Sequence, residues 1–270
     1  MTELAEAFET INLHRRGGTA VIELNRPGAM NAWNYQFGVD LLAAVEQVAA
    51  DDDVRAVCIT GAGRGFSSGA DLKDMGDRET TPEGHPDVYS TLTQRYHPII
   101  TGLRTMPKPV VAAVNGPAVG IGLSLALAAD LVVAKESAYF LLAFVNIGLV
   151  PDGGSSLFVP ERIGFTRAME MAMLGERVAA SQALEWGLIN RVVADDDFGA
   201  EVDELMDRLA AGPTRSYAGT KRQLNAWLYE RMDAQLELEA TIQQEMAGSG
   251  DFVEGVLAFI QKRQAEFKGA

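Results

Sequence analysis

One carboxylate stands alone in a long apolar stretch of the sequence. Between Ser137 and Pro160 the chain reads SAYFLLAFVNIGLVPDGGSSLFVP, and Asp152 is the single charged residue there. An ionised carboxyl group in apolar surroundings loses hydration, so its pKa rises unless hydrogen bonds or partners stabilise the charge. A raised pKa brings a carboxyl group into the range in which it moves protons near neutral pH. Asp152 is therefore a candidate acid/base, although Pro-Asp-Gly is also ordinary turn chemistry.

Two glycine-bearing turns could supply a second chemical element. Residues 61–73 (GAGRGFSSGADLK) follow the apolar run VRAVCIT, and residues 115–122 (NGPAVGIG) follow PVVAAVN. Each pattern predicts a strand, a turn and the start of a helix. Helix N-termini carry unpaired N–H groups and positive partial charge, so two of them directed at one point would hold an oxyanion. The first turn is not a dinucleotide-binding fingerprint, because Phe66 occupies the third glycine position.

Composition narrows the range of partners. The net charge of −14 leaves no basic excess to displace counterions from phosphates, so nucleic acid is not an expected partner. The lone cysteine, Cys58, lies in an apolar strand pattern and is interpreted as a core residue. Residues 109–129 lack charge, but prolines and glycines interrupt them, which predicts a buried strand and helix rather than a membrane span. We find no metal-ligand spacing, and an N-terminus without an apolar signal core predicts a cytoplasmic protein.

An alternation of strands and helices must position these residues. Apolar residues at helical spacing predict a helix over residues 33–50, and residues 74–98 are polar and predict an exposed loop that enters a helix near Val88. This alternation predicts an α/β core with parallel strands. Short runs rich in β-branched residues predict the strands at 19–24, 54–60, 109–115, 131–134 and 139–142.

After residue 193, the spacing of apolar residues predicts a series of helices. Glycine and proline separate the patterns, which cover residues 197–209, 216–229, 233–246 and 252–267. We therefore expect two regions, a core over residues 1–196 and a helical region over residues 197–270 that packs on, or is exchanged between, subunits.

Four segments, in this order and spacing, resemble the crotonase superfamily, also called the enoyl-CoA hydratase/isomerase family. They are LNRPGAMNAW (24–33), FSSGADLKDM (66–75), AAVNGPAVGIG (112–122) and IGLVPDGGSS (147–156). The resemblance runs from about residue 8 to the C-terminus. It implies a spiral of ββα units, a C-terminal helical trimerisation region, and a homotrimer or hexamer. It also implies acyl-CoA thioester substrates, with coenzyme A as part of the substrate and no separate cofactor.

The resemblance implies roles for individual residues as well. The family stabilises a thioester enolate with two backbone N–H groups, which correspond here to Ala70 and Ile121. Phe259 and Lys262 correspond to residues that reach a neighbouring subunit's nucleotide, although a solvated helix face explains Lys262 equally well. The full set implied in substrate or coenzyme A binding is Arg26, Ala29, Asn31, Ala32, Gly69, Asp71, Leu72, Gly120, Phe144, Phe259 and Lys262.

The departures from the family pattern favour one activity. Hydratases of this family use two glutamates, and the corresponding positions here are Ser124 and Phe144. A hydroxyl at its ordinary pKa is a poor general base, and phenylalanine has no proton chemistry. The acidic residue that follows the proline in the family's isomerases corresponds to Asp152. The resemblance is therefore to the Δ3,Δ2-enoyl-CoA isomerases, in which one carboxylate moves a proton from C2 to C4 of a 3-enoyl-CoA.

Other activities stay open from the sequence. They are enoyl-CoA hydration, a ring isomerisation of aromatic degradation, and a non-catalytic acyl-CoA binder. Dehalogenases of 4-chlorobenzoyl-CoA use the position of Asp152 as a nucleophile, but they need a partner histidine. His85 and His97 are each interpreted as a surface or satisfied residue, and His14 lies too far upstream.

Overall fold

Parallel strands make up most of the main sheet in the computed structural model, which describes residues 2–3, 8–73 and 80–270. Among the described strands, the sheet has the order β1-β2-β3-β4-β5-β7-β10, antiparallel from β1 to β3 and parallel from β3 to β10, and β6, β8 and β9 form a second sheet. The strands are β1 (Thr2–Glu3), β2 (Ile11–Arg16), β3 (Thr19–Leu24), β4 (Ala56–Gly61), β5 (Val110–Val114), β6 (Ala118–Val119), β7 (Leu131–Lys135), β8 (Tyr139–Leu141), β9 (Val178–Ala179) and β10 (Arg191–Val193).

Helices connect the strands and follow them towards the C-terminus. A π-helix, Leu92–Tyr96, joins the second and third α-helices, and a short 3-10 helix covers Phe144–Ile147. The α-helices are α1 (Tyr35–Ala50), α2 (Val88–Thr91), α3 (His97–Thr105), α4 (Ile121–Ala128), α5 (Ser155–Leu174), α6 (Ala180–Trp186), α7 (Phe198–Ala211), α8 (Thr214–Leu228), α9 (Met232–Ala247) and α10 (Gly250–Gln261).

The α/β core with parallel strands is confirmed. Strand β3 has the predicted bounds, and the other four predicted strands form with ends shifted by one or two residues. Helix α1 begins two residues later than predicted because Asn34 caps it, its side-chain oxygen accepting the Phe37 N–H at 3.0 Å.

The two faces of the main sheet pack against different helices. In β4, Val57 and Ile59 belong to the large core that also contains residues of α1 and α3, whereas Cys58 points to the opposite face, covered by α7. Burial raises the pKa of the Cys58 thiol to about 12. This environment confirms the interpretation of Cys58 as a core residue.

The exposed-loop prediction for residues 74–98 is wrong in its last part. A helix does begin at Val88, as predicted, but Leu92 and Tyr96 of the π-helix are buried in the large core. The Tyr96 ring meets Trp33 edge-on, with ring centroids 4.9 Å apart. The polar composition before Val88 hid this apolar pair, and residues 74–79 lie outside the described residues.

The helical C-terminal region is confirmed, with one correction at its end. Helix α10 ends at Gln261, not at Phe267, because Lys262 takes a left-handed conformation with φ 55°. The Lys262 and Arg263 N–H groups then bond back to the carbonyls of the last turn. The division at residue 196 stays a prediction. Within the described ranges, no helix is both long and apolar enough to cross a membrane.

We predict that Gly122→Ala destabilises the fold because α4 lies directly against the turn that follows β4. A Cβ at Gly122 would lie 2.7 Å from the Ser67 side chain and 2.8 Å from its carbonyl oxygen. Overpacking of this kind lowers the free energy of unfolding by ~1–3 kcal/mol. Urea-induced unfolding measures the change.

Gly219→Ala in α8 is the matched control. A Cβ there meets no atom within 4 Å, so alanine should stabilise the helix by roughly 0.5–1 kcal/mol. A Gly122→Ala variant as stable as this control would contradict the close packing of α4.

Candidate active site

The two glycine turns are joined to each other. Strands β4 and β5 are parallel neighbours, so both turns leave the same edge of the sheet. The Ser67 N–H donates to the Pro117 carbonyl at 3.0 Å, and the Val119 N–H donates to the Ser67 carbonyl at 2.9 Å. A Cβ built on Gly69 would lie 3.9 Å from the Gly120 Cα. The turns therefore meet at the residues that precede the two predicted oxyanion donors.

Two backbone N–H groups at this junction make no hydrogen bond to the residues the structure describes. Trp33 donates to the Gly69 carbonyl at 2.8 Å and accepts the Asp71 N–H at 2.9 Å, so the N–H of Ala70 between them points to the other side. Ile121 is the first residue of α4, where an N–H has no partner within the helix. Both N–H groups are free to bind an oxygen.

The first turn differs from its prediction in one respect. It does not open a helix within the described residues, because residues 71–73 form only a coil and bend, and the chain from residue 74 to residue 79 lies outside them. The free N–H of Ala70 therefore comes from strand-like pairing with Trp33 rather than from a helix N-terminus.

A cavity of about 920 Å³ opens beside these two N–H groups. The structure brings most of the predicted site residues to its wall, although they come from separate parts of the chain. Those that line it are Ala29, Ala32, Gly69, Ala70, Asp71, Leu72, Gly120, Ile121, Phe144, Asp152 and Phe259.

Asp152 is held in a tight loop between the cavity and α4. Its backbone carbonyl accepts the Ser124 hydroxyl at 2.7 Å and the Ser155 hydroxyl at 2.8 Å. The next residue, Gly153, has φ 60°, and an added Cβ there would overlap the Ile121 side chain. The turn at Asp152 and Gly153 therefore packs directly against the first residues of α4, which are apolar apart from Ser124.

The Asp152 carboxyl group is buried and only half satisfied. Its Oδ2 accepts the Gln243 side-chain N–H at 2.8 Å, and its Oδ1 has no hydrogen-bond partner in the described part of the chain. Burial, with a contribution from the negative charge of Glu239, raises the pKa of Asp152 to about 8, against a smaller lowering by Gln243. The group can therefore both take and return a proton close to neutral pH.

Two buried polar residues of α9 were missed by the sequence interpretation. Glu239 accepts the N–H groups of Gly154 and Ser156 at 2.8 and 3.1 Å, and Gln243 lines the cavity. Burial raises the pKa of Glu239 to about 7. Their spacing of four residues puts both on one helix face, which is a signal that the sequence contained.

Three predicted binding residues do not reach the cavity wall. Asn31 is fully buried and donates to the carbonyls of Ala62 and Gly65 at 3.0 and 2.8 Å. Arg26 pairs at 2.9 Å with Asp71, which lines the cavity, so Arg26 holds a wall residue in place without lining the cavity itself. Lys262 is exposed at the end of α10. In this chain, Asn31 and Arg26 support the first turn rather than line the cavity.

The two positions that the sequence resemblance matches to the family's glutamates, Ser124 and Phe144, carry no acid. Ser124 is buried and its hydroxyl is used by the Asp152 carbonyl, while Phe144 packs close to Gly120. Asp71 is the other described carboxylate at the cavity wall, and its ion pair with Arg26 distinguishes it from Asp152.

His97 is not the surface or satisfied residue that the sequence suggested. It is buried, its Nε2 has no partner among the described residues, and burial lowers its pKa to about 4. His97 is therefore neutral near pH 7, and it does not line the cavity. His85 is exposed, as predicted.

Basic side chains reach the cavity near the first turn. Arg64 and Lys73 are exposed residues that line it, and sequence interpretation did not select either. Both could approach an anionic part of a ligand. In the part of the chain that the structure describes, no group of three His, Cys, Asp or Glu side chains is arranged to hold a metal ion.

Known proteins match nearly the whole length of this chain. A family model described as enoyl-CoA hydratase/isomerase matches residues 14–270. The chain is 40% identical over 262 residues to the 1,2-epoxyphenylacetyl-CoA isomerase of Escherichia coli (strain K12), covering 97% of this chain and 99% of that protein. It is 41% identical over 263 residues to a probable enoyl-CoA hydratase of Rhodobacter capsulatus, with the same coverage.

A solved structure agrees with the fold as a whole. The crystal structure of an enoyl-CoA hydratase from Mycobacterium avium subsp. paratuberculosis matches with a TM-score of 0.88 and 38% sequence identity. The match covers 97% of this chain and 100% of that one. The crotonase-like arrangement expected from the sequence motifs is therefore confirmed.

We predict that Asp152→Asn makes the stability of the protein less sensitive to alkaline pH. The folded pKa of about 8 lies above the ordinary value of 3.8, so the native state binds this proton more tightly than the unfolded state does. The resulting stability is fully present below about pH 4 and is lost as the pH rises through about 8.

Thermal unfolding at about pH 6 and about pH 9 measures this difference. The wild type should lose more stability across the interval than the variant, because asparagine does not ionise. Equal losses would show that Asp152 is not protonated in the folded protein near neutral pH.

Proposed function

Since the chain belongs to the enoyl-CoA hydratase/isomerase family, the crotonase superfamily, we propose that it shifts the double bond of a 3-enoyl-CoA to the 2-position. That it is an acyl-CoA enzyme of this family follows from the family model and the relatives. One observation carries the finer proposal. A single carboxyl group with a free oxygen, Asp152, lies at a cavity that also offers the unengaged N–H groups of Ala70 and Ile121.

The reaction is a proton shift through a stabilised enolate. The Ala70 and Ile121 N–H groups bind the thioester oxygen, where negative charge develops as the C2 proton leaves. Asp152 takes that proton, the C2 electron pair forms the new C2–C3 double bond, and the old C3–C4 double bond takes the proton at C4. No atom is gained or lost, and the chemistry needs no group beyond the coenzyme A of the substrate.

The proton affinity of Asp152 suits this task. A carboxylate with a pKa of about 8 is a stronger base than one at the ordinary value. It also keeps the proton between the two transfers, because burial opposes its loss to water. The ionised fraction starts the cycle, so we expect isomerisation to become faster as the pH rises towards about 8.

Hydration of a 2-enoyl-CoA is less well supported. It needs groups that position and activate a water molecule, and the two family positions carry Ser124 and Phe144. The remaining wall carboxylate, Asp71, is engaged with Arg26. Assays with 3-enoyl and 2-enoyl thioesters separate the two reactions directly.

A ring isomerisation is the second candidate, and the Escherichia coli relative favours it. The same oxyanion donors and the same acid/base would serve a different acyl group, because both act close to the thioester and not on the distant part of the acyl group. Turnover of 1,2-epoxyphenylacetyl-CoA without turnover of 3-enoyl thioesters would favour this second candidate. Binding of both without turnover would indicate a non-catalytic acyl-CoA binder.

The binding of coenzyme A itself is part of the proposal. Residues 28–30, 32 and 69–73 line the cavity, and Arg64 and Lys73 supply positive charge there. Phe259 reaches the same cavity within its own chain. A homotrimer or hexamer, with Lys262 at a neighbouring subunit's nucleotide, stays a prediction.

We predict that Asp152→Asn reduces kcat for a 3-enoyl-CoA by about 10²–10⁴-fold, the usual contribution of a positioned acid/base. Binding of a saturated acyl-CoA should change by less than about threefold, because asparagine keeps the shape of the cavity and the charge of this group is largely absent near pH 7. A coupled spectrophotometric assay and calorimetric titration measure the two quantities.

Ser124→Ala is the matched control for that substitution. It removes a hydroxyl that touches Asp152, but the Ser155 N–H and hydroxyl still hold the same carbonyl. We expect a loss of less than about tenfold, since no proton transfer is assigned to Ser124. A loss as large as that of Asp152→Asn would move the acid/base role away from Asp152.

We predict that Ile121→Pro removes one oxyanion donor while the backbone of α4 still forms, although it also removes a buried side chain that packs against Gly153. Ile121 is the first helical residue, where proline fits and its missing N–H is not used by the helix. Loss of one such donor lowers kcat by about 10²–10³-fold. Circular dichroism checks the fold, and an unchanged kcat in a folded variant would contradict the role of this N–H group.

A further inference from the structure

Gln243 fixes the orientation of the Asp152 carboxyl group. Its side-chain oxygen accepts the Val150 N–H at 3.0 Å, and its side-chain nitrogen donates to Asp152 Oδ2 at 2.8 Å. Only the oxygen of an amide accepts a backbone N–H, so Val150 determines which end of the amide faces Asp152. Oδ2 is thereby occupied, whereas Oδ1 is buried and has no hydrogen-bond partner among the described residues, so it is the oxygen to which we assign the proton transfer.

Glu239 binds two N–H groups that follow Asp152 closely along the chain. Gly154 precedes the first residue of α5 and Ser156 is its second, so both N–H groups lie at the helix N-terminus, where they stabilise a negative charge. Both donate to Glu239, at 2.8 and 3.1 Å. Glu239 thereby occupies these two N–H groups, and its buried carboxyl group adds a negative charge close enough to act on Asp152.

Few other charges act on Asp152. Helix α4 and the 3-10 helix at 144–147 contain no titratable residue, and the first charged residues of α5 are Glu161 and Arg162. Arg162 binds carbonyls at the far end of α4. On α9 the other acidic groups are Asp233, Glu237 and Glu245, of which Glu237 acts on His97.

We propose that α9 controls the acid/base through two positioning residues, Gln243, which supports the carboxylate, and Glu239, which favours the protonated acid. The inference rests on the proposed function and deepens it. Glu239 strengthens the binding of the Asp152 proton, and Gln243 weakens it. The opposite signs with which they move the pKa of Asp152 agree with this geometry.

The pH dependence of kcat/KM for a 3-enoyl-CoA tests the proposal. Glu239→Gln should move the midpoint of the profile to lower pH by about one unit, which raises activity on the acidic side. Gln243→Leu should move it to higher pH by a similar amount, because Oδ2 then loses its donor. A purely structural role would lower activity at every pH without these opposite shifts.

Gln244→Leu is the matched control on the same helix. Gln244 accepts the Val88 and Tyr89 N–H groups and donates to the Pro86 carbonyl, and it makes no described contact with Asp152. Its removal should leave the midpoint in place, whatever it does to stability. If Gln243→Leu does not fold, Gln243→Glu keeps the size of the side chain and should also raise the midpoint, by like-charge repulsion.

A spectroscopic titration separates this inference from the proposed function. The infrared carbonyl band that disappears in Asp152→Asn reports the protonation of Asp152 without any turnover. Opposite shifts of this titration in the two variants would support the inference even if the wild type failed to isomerise 3-enoyl thioesters. Unshifted or parallel titrations, in a wild type that does isomerise them, would overturn the inference and leave the function standing.

Discussion

Two backbone hydrogen bonds between Ser67 and the 117–119 segment hold the candidate site together. They join the turn after β4 to the turn after β5, and they bring Ala70 and Ile121 to the same cavity. Close approach is needed, since a Cβ at Gly69 would lie 3.0 Å from the Val119 carbonyl oxygen. The proposed oxyanion site is therefore built from backbone alone. Side chains around it can change the reaction without changing how a thioester oxygen is bound.

The two aspartates at the cavity wall show opposite solutions to burial. Asp71 pairs with Arg26 at 2.9 Å, and it orders the first turn. Asp152 has no cation beside it in the described residues, and its pKa rises to about 8. An acid that is held neutral by its surroundings costs less to bury than an unpaired charge, and its proton remains available. The presence of a cation beside Asp71 and its absence beside Asp152, among the described residues, thus distinguish the structural aspartate from the candidate acid/base.

Local patterns predicted most of the fold, because strand and helix periodicity are properties of neighbouring residues. Strand β3 and the lone charge of Asp152 could be read from their own segments, whereas the roles expected for Ala70 and Ile121 came from the resemblance of their motifs to the family. The end of α10 was misplaced because the sequence after Gln261 is still compatible with a helix, and the left-handed Lys262 ends it. The burial of Leu92, Tyr96 and His97 depends on Trp33 and on α9, which lie far away in sequence.

The contacts that helix α9 makes at the site could not be predicted from local sequence patterns. Glu239 and Gln243 lie on the stripe of Leu236 and Ala240, so the pattern indicates two polar residues on a buried face. It does not indicate that Asp152, 91 residues earlier than Gln243, is what they meet. A motif can identify an acid/base, but the affinity of that group for its proton is set by tertiary contacts. The same loop in a relative with different residues on α9 would therefore hold a chemically different aspartate.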